Sequence, residues 1–252
     1  MTYKPPFTIT ESMLKSVAEI CELVGRWSVE SKLDLAPQLR RQNRIRTIHA
    51  SLAIESNSLS EKQVSAVIEG KTVLGAPREI REVQNAFATY EEMSNWRSDS
   101  LDDLLKAHEI LMLGLVDEAG KFRSGSVGVY QDTALIHLAP PADRVPHLMQ
   151  DLLDWLGKTD THPLIASCVF HYEFEFIHPF SDGNGRMGRL WQSLILSKWQ
   201  PLLAFLPVET VVHKRQSQYY QALGACDKNA NSNIFIEFML DALRVAMQET
   251  II

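Results

Sequence analysis

The chain has 252 residues, 45% of them hydrophobic, and carries 25 basic against 31 acidic side chains for a net charge of −6. That length and apolar content suffice to bury a core, which excludes disorder for most of the chain. The acidic balance excludes the broad basic surface of a non-specific nucleic-acid binder and leaves room only for a local basic pocket. Cys21, Cys168 and Cys226 are far apart with no CxxC pair, so neither a disulfide framework nor a zinc knuckle is expected, and a reducing, cytosolic compartment is the natural setting. MTYKPPFTIT lacks the basic and apolar regions of a signal peptide, and no segment approaches the length of a membrane span.

Helical periodicity runs through most of the chain. Leu14, Val17, Ala18, Cys21, Val24 and Trp27 mark one face of a helix over 11–30. Pro37 permits a second helix through RRQNRIRTIHASLAIE, with Leu39, Ile45, Ile48, Leu52 and Ile54 as its apolar positions, and SNSLS breaks it. Ser60 and Gln63 form a capping box for a third helix that Gly70 ends. Further helices are predicted over 78–95 (Ile80, Val83, Phe87, Tyr90) and Leu101 to Leu115. KFRSGSVGVYQDTALIHLA, residues 121–139, has the glycines and β-branched residues of two short strands or a hairpin. A helix over 143–157, an apolar helix opened by Pro163, a helix through RLWQSLILSKWQ and helical stretches near 214–226 and 233–250 complete an all-α domain with one small β-hairpin. An N-terminal helical region, 1–95, and a core with C-terminal helices, 96–252, are the expected divisions.

Residues 178–190, HPFSDGNGRMGRL, carry the chemistry. A turn with Gly183 and Gly185 that opens a helix exposes unpaired backbone N–H groups, an anion site whose glycines admit close approach of phosphate oxygens. Arg186 and Arg189, three residues apart on the new helix, supply countercharge to a polyphosphate. Asp182 stands where it can hold Mg²⁺ against phosphate oxygens, and His178 can take a proton from an incoming hydroxyl. Pro179 and Phe180 read as a helix stop and a core plug.

HPFSDGNGRMGR resembles, at every defining position, the HxFx(D/E)GNGRxxR signature of the Fic family. The resemblance implies a largely helical Fic fold with the motif loop between two central helices. It also implies a protein adenylyltransferase that moves AMP from ATP to a Ser, Thr or Tyr hydroxyl of a target protein, this chain itself included. Carried over by position, His178 is the general base, Phe180 the loop anchor and Asp182 the Mg²⁺ ligand. Gly183, Asn184 and Gly185 form the anion hole, Arg186 contacts phosphate and Arg189 meets the γ-phosphate. Met187 and Gly188, between the arginines, fall in the same phosphate-binding stretch. GNGR disfavours the kinase-like Doc branch. Residues 134–141, ALIHLAPP, resemble the flap that aligns a target by strand addition, with Leu135, Ile136 and His137 central. Tyr219 and Tyr220 fall where relatives contact adenine, and Asp227 stands where an asparagine is common. The implied partners are ATP with Mg²⁺ and a target protein; a homodimer is left open.

SLAIESN, 51–57, resembles the family's inhibitory signature (S/T)xxxE(G/N), with Ser51 and Glu55 in register and Ser56 in place of Gly or Asn. A carboxylate beside a guanidinium makes a bidentate pair. Glu55 on Arg189 would therefore deny that arginine to the γ-phosphate. The same residue could position water for removal of AMP from a modified protein. Two other readings compete: a nucleotide-sensing module without turnover, and a metal hydrolase built on His171, Glu173, Glu175 and His178, whose spacing is not HExxH. The stretch after the tyrosines is too short for a winged-helix domain, so no nucleic-acid role is expected.

Overall fold

The computed structural model describes residues 3–30, 37–126, 128–131 and 134–251, with side chains described throughout these except at 29–30, 128–131, 134–138 and 251. In chain order the helices are α1 (Glu11–Glu30), α2 (Pro37–Ile54), α3 (Glu61–Ile68), α4 (Pro77–Glu92) and α5 (Leu101–Leu111). Two short strands follow, β1 (Gly128–Gln131) and β2 (Ala134–Leu138). Then come α6 (Val145–Lys158), α7 (Pro163–Ile177), α8 (Asn184–Trp199), α9 (Val208–Lys214), α10 (Gln216–Asn229) and α11 (Asn233–Ile251). The strands pair antiparallel, Gly128 with Leu138 and Gln131 with Ala134, and the register slips between Val129 and Tyr130. Val127 lies outside the described residues.

Several local signals act as the sequence implies. The Ser60 capping box is made in both directions, and Pro77 and Pro163 sit at helix starts, where a missing N–H is harmless. α2 ends in a Schellman motif: Asn57 N–H donates to the Leu52 carbonyl and Ser56 N–H to that of Ala53. Ser56 takes φ 70° there, the left-handed conformation that favours Gly or Asn.

Other expectations need correction. Leu14 is 59% exposed because the buried face of α1 runs through Met13, Ile20, Val24 and Trp27, and Leu39 faces outward because α2 turns Asn43, Arg44 and Thr47 inward. α5 stops at Leu111 rather than Leu115, where the chain turns through Gly114 at φ 71°. The predicted 78–95 helix tightens to a 3-10 turn over Met93–Asn95. α9, a separate short helix after Pro207, was hidden in the run preceding 214.

α7 and α8 form the centre. α7 is buried on nearly all sides, from Leu164 to Phe174, and α8 packs along it. Gly188 permits that approach, since a Cβ there would stand 2.7 Å from Glu175 Oε1 and 2.9 Å from the His171 ring. α11 packs on both α1 and α7, and α2 packs on α9. One hydrophobic cluster therefore runs from Met13 to Met247, through both regions on either side of 95/96.

Candidate active site

The motif loop joins the end of α7 to the start of α8. His178 caps α7 in the left-handed region, φ 50°, and Gly183 caps α8 at φ 86° with no side-chain capping bond. The first-turn amides of α8 have no carbonyl partner within the helix. Met187 N–H, by contrast, bonds to the Gly183 carbonyl, and its side chain is fully buried in the core. Met187 and Gly188 thus face the protein interior, not the open helix end.

The loop is held from several sides. Asn184 closes it on itself, accepting from Phe180 N–H and donating to the Phe180 carbonyl, both at 2.9 Å. Its side chain is spent on shape. Phe180 is completely buried and stacks on His108 with ring centroids 3.6 Å apart. His108 accepts at Nδ1 from Gly120 N–H, so its Nε2–H donates to the Asp182 carbonyl at 3.0 Å. Burial pushes the His108 pKa down to about 4, consistent with that neutral tautomer.

Arg123 is the second support. It is 3% exposed, and its guanidinium donates to four carbonyls: His178 at 2.7 Å, Pro140 at 2.6 Å, Gly125 at 2.8 Å and Ile177 at 3.3 Å. Its own N–H meets the Pro179 carbonyl. One side chain therefore ties the backbone of His178 to the segment leaving β2. Neither His108 nor Arg123 was picked out from the sequence. His108 does stand in the apolar stripe of α5 with Leu104, Ala107 and Leu111, a signal that it faces inward.

Asp182 remains 42% exposed and is embraced by arginines. Oδ1 accepts from Gly183 N–H and from Arg186, and Oδ2 accepts from Arg78 at 3.1 Å. Glu82 lies 3.5 Å from Arg78 and 3.8 Å from Arg186, and accepts from Asn57. α4 thus adds Arg78 and Glu82, two residues the sequence did not reveal, to the side of the loop where Asp182 lies.

Arg189 is 2% exposed and points from α8 to the end of α2. Its Nε donates to Ser51 Oγ at 3.1 Å, and NH2 donates both to the Ser51 carbonyl and to Glu55 Oε1 at 2.7 Å. The expected bidentate pair is in fact a single carboxylate contact, because Ser51 takes the other face of the guanidinium. Burial opposes the Arg189 charge, and Glu55, Tyr219 and Glu175 together more than offset it, so its pKa stands above the ordinary arginine value. A Cβ on Gly185 would collide with Glu55 Oε1 and lie 3.1 Å from Arg189 NH1. The carboxylate therefore rests against the open first turn of α8.

The remaining candidates separate. Tyr219 is 1% exposed and donates to His171 Nε2 at 3.0 Å within the core, whereas Tyr220 is half-buried beside it. Asp227 accepts from Tyr172 at 2.9 Å. His171 also bonds Gln192 through Nδ1, so both its nitrogens are committed, and burial lowers its pKa to about 3. Glu173 accepts from Tyr3. These contacts make the HYEFEFIH segment a packed helix, and no group of three or more His, Cys, Asp or Glu among the described residues is placed to hold a metal. The backbones of Leu135 and His137 pair with Tyr130 and Val129, and Ile136 falls at the register slip; the side chains of Leu135, Ile136 and His137 lie outside the described residues. No helix among the described residues is long and apolar enough to cross a membrane.

Comparison with known proteins agrees with this architecture. The Fic/DOC family model matches residues 98–196. Protein adenylyltransferase fic-1 of Caenorhabditis briggsae is 32% identical over 230 residues, covering 85% of this chain and 42% of the relative. The protein of the same name from Caenorhabditis elegans is 30% identical over the same shares. The chain thus spans less than half the length of these curated relatives. Among solved structures, Fic-1 from C. elegans shares the fold at a TM-score of 0.75 and 23% identity, covering 95% of this chain and 72% of that one. A Fic family protein from Desulfovibrio desulfuricans G20 superposes at a TM-score of 0.95 with 63% identity, over 98% of this chain and 76% of that one. A likeness that close over nearly the whole chain, joined to a complete motif on the loop between α7 and α8, means that the chain belongs to the Fic family.

Proposed function

We propose that this protein is an adenylyltransferase that moves AMP from ATP to a hydroxyl side chain of a target protein, and that Glu55 holds it in an inhibited state. The observation that carries the reading is the Glu55 carboxylate lodged between Arg189 and Gly185. The names of the curated relatives, protein adenylyltransferases, support the activity.

In this reading the phosphates of ATP lie against the first-turn amides of α8, with Arg186 and Arg189 as countercharges. His178 removes the proton from the target hydroxyl, whose oxygen attacks the α-phosphorus. The P–O bond to the β-phosphate breaks and pyrophosphate leaves. Asp182 fits Mg²⁺ in the mode of one carboxylate completed by substrate phosphates, since it is half-exposed beside the anion site. The ion would neutralise phosphate charge, and Arg78 must yield Oδ2 to it. Arg123 keeps the His178 backbone in register with the segment leaving β2, the strand proposed as the flap that seats the target, with Leu135, Ile136 and His137 as its contacts. Tyr220 is better placed than the buried Tyr219 to meet a base. While Glu55 holds Arg189, a γ-phosphate lacks its partner and the α-phosphorus is not aligned for attack. Removal of AMP is a second activity of the same carboxylate, supported by its 34% exposure at the anion site.

AMP incorporation from α-labelled ATP, by wild type, Glu55→Gly and His178→Ala, tests the proposal. Glu55→Gly should raise incorporation at least tenfold, and adding His178→Ala should abolish it. Equal incorporation by Glu55→Gly and wild type would refute the inhibitory role. Persistence in the double variant would refute the assignment of the base.

A further inference from the structure

Four charged side chains beside the motif loop close a ring of alternating sign. Arg78 NH2 lies 3.1 Å from Asp182 Oδ2 and Arg186 NH2 lies 3.0 Å from Asp182 Oδ1, while Glu82 Oε1 lies 3.5 Å from Arg78 Nε and 3.8 Å from Arg186 NH1. Two carboxylates thus share two guanidiniums, and Glu82 has the looser share. Its other oxygen faces the inhibitory turn. Oε2 accepts from Asn57 Nδ2 at 2.8 Å, and the same nitrogen donates to the Glu79 carbonyl at 3.3 Å. Asn57 is 8% exposed, and its own N–H closes the Schellman turn on which Glu55 stands. Ser58 N–H donates to Glu79 Oε1 at 2.6 Å. The start of α4 therefore holds the Glu55 turn on one side and the Asp182 loop on the other, with Glu82 common to both.

Nucleotide binding would break this ring at two places. On the reading proposed above, Asp182 Oδ2 goes to Mg²⁺ and Arg186 goes to a phosphate. Arg78 then loses its shorter pair, and Glu82 Oε1 loses one of its two. Arg78 and Glu82 are one helical turn apart, and Nε already faces Oε1. The freed NH2 is the atom that completes a side-on fork across both carboxylate oxygens. Such a fork of two charge-assisted bonds displaces a single amide donor, so Oε2 turns from Asn57 to Arg78.

We propose that Glu82 is a positioning residue that couples the Asp182 loop to the inhibitory turn: Arg78, displaced from Asp182, transfers to Glu82 and thereby releases Asn57 and the turn that carries Glu55. This coupling rests on the adenylyltransferase reading and adds a route by which nucleotide loosens the inhibition without touching Arg189. It is reciprocal. A closed turn keeps Glu82 on Asn57 and Arg78 on Asp182, and so weakens binding at the loop by the same factor.

Hydrogen exchange of the amides of residues 55–58 in the full chain, with and without saturating ADP and Mg²⁺, tests the coupling, and calorimetry reads the binding of the same nucleotide. ADP lacks the γ-phosphate assigned to Arg189, so it does not contest that arginine with Glu55 and acts on the turn by way of the loop. In wild type it should speed exchange of the turn by about threefold or more. Arg78→Ala, at an exposed position, should bind ADP with Mg²⁺ at least as tightly as wild type, since Asp182 is uncontested, yet show no acceleration. Glu82→Gln can still accept from Asn57 but offers Arg78 no charge, and should lose the acceleration too. Asn57→Ala should exchange fast without nucleotide and gain nothing from it. Unchanged exchange in saturated wild type, or acceleration that persists in Arg78→Ala, would overturn the coupling and leave the transferase reading standing. Absence of ADP binding to wild type would overturn both.

Discussion

Replacing Glu55 by Gln should alter stability in opposite directions with and without nucleotide. Arg189 is almost wholly buried, and Glu55 is the carboxylate bonded to it, at 2.7 Å. Gln is nearly isosteric and can still accept from NH2, so the change removes charge while keeping shape. A hydrogen bond to a charged group contributes about 1.5–3 kcal/mol, against about 0.5–1.5 for a neutral one. With a third of the Glu55 side chain in solvent the pair is screened, so a loss of about 1 kcal/mol is expected. In a domain of this size that lowers Tm by ~2–4 °C. With Arg189 released, ATP and Mg²⁺ should bind more tightly, and a tenfold gain adds about 1.4 kcal/mol at saturation, or ~3–5 °C of further stabilisation. Thermal unfolding with and without saturating ATP reads both effects. An apo variant no less stable than wild type, or an ATP-induced shift no larger than in wild type, would refute the reasoning.

Ser56→Gly should raise Tm by ~1–3 °C, because it relieves a residue at φ 70° by about 0.5–1 kcal/mol, and Ser56→Ala should give no gain; a lower Tm for the glycine variant would contradict this. Arg123→Lys should be nearly as damaging as Arg123→Ala, each costing about 3 kcal/mol in denaturant unfolding, since one ammonium cannot meet the four carbonyls that the guanidinium fork reaches. Full stability of the lysine variant would contradict it. The pH dependence has opposing contributions. His108 and His171 are lowered to about 4 and about 3 by burial, and burial lowers His49 and His162 as well, so below pH 6.5 the unfolded chain binds protons that the folded chain does not. Glu173 and Glu209 are raised to about 7 by burial, so between pH 4.5 and 6.5 the folded chain binds two that the unfolded chain does not, which offsets part of that slope. Below pH 4.5 this offset is lost and stability should fall more steeply. Glu209→Gln removes one offset, so its unfolding free energy measured by denaturant titration should decline more steeply than that of wild type, by about 1.4 kcal/mol per pH unit between pH 6.5 and 4.5; parallel profiles for the two proteins would contradict the assignment.

The sequence made the motif loop legible because its signals are local. A histidine ending an apolar helix and glycines opening the next one are turn chemistry, and both glycine placement and the Ser60 cap depend on neighbours within four residues. The Glu55–Arg189 pairing spans 134 positions and was reachable only through a resemblance. Arg78 and Arg123 carried no comparable mark: their partners Asp182 and His178 lie 104 and 55 residues away, and tertiary packing alone brings them together. Polar residues at buried helix positions mislead in the same way. α2 turns Asn43, Arg44, Thr47 and Ser51 inward, so its apolar periodicity was weak and Leu39 was misplaced. Between adjacent Tyr219 and Tyr220, only the packing against His171 and Phe235 decides which ring enters the core.

Glu55 stands one residue beyond Ile54, the last residue of α2, on the turn that the Schellman bonds close. The helix body is anchored by Leu52 and Ile54, each 2% exposed, and Gln216 of α10 donates to the Ile54 carbonyl at 2.9 Å. The carboxylate that occupies Arg189 therefore sits on the closing turn and not on the helix body. On the proposed inhibitory reading, release of the arginine requires that turn to move and not the seated helix, so substitutions within Glu55, Ser56 and Asn57 are where its set point would be changed.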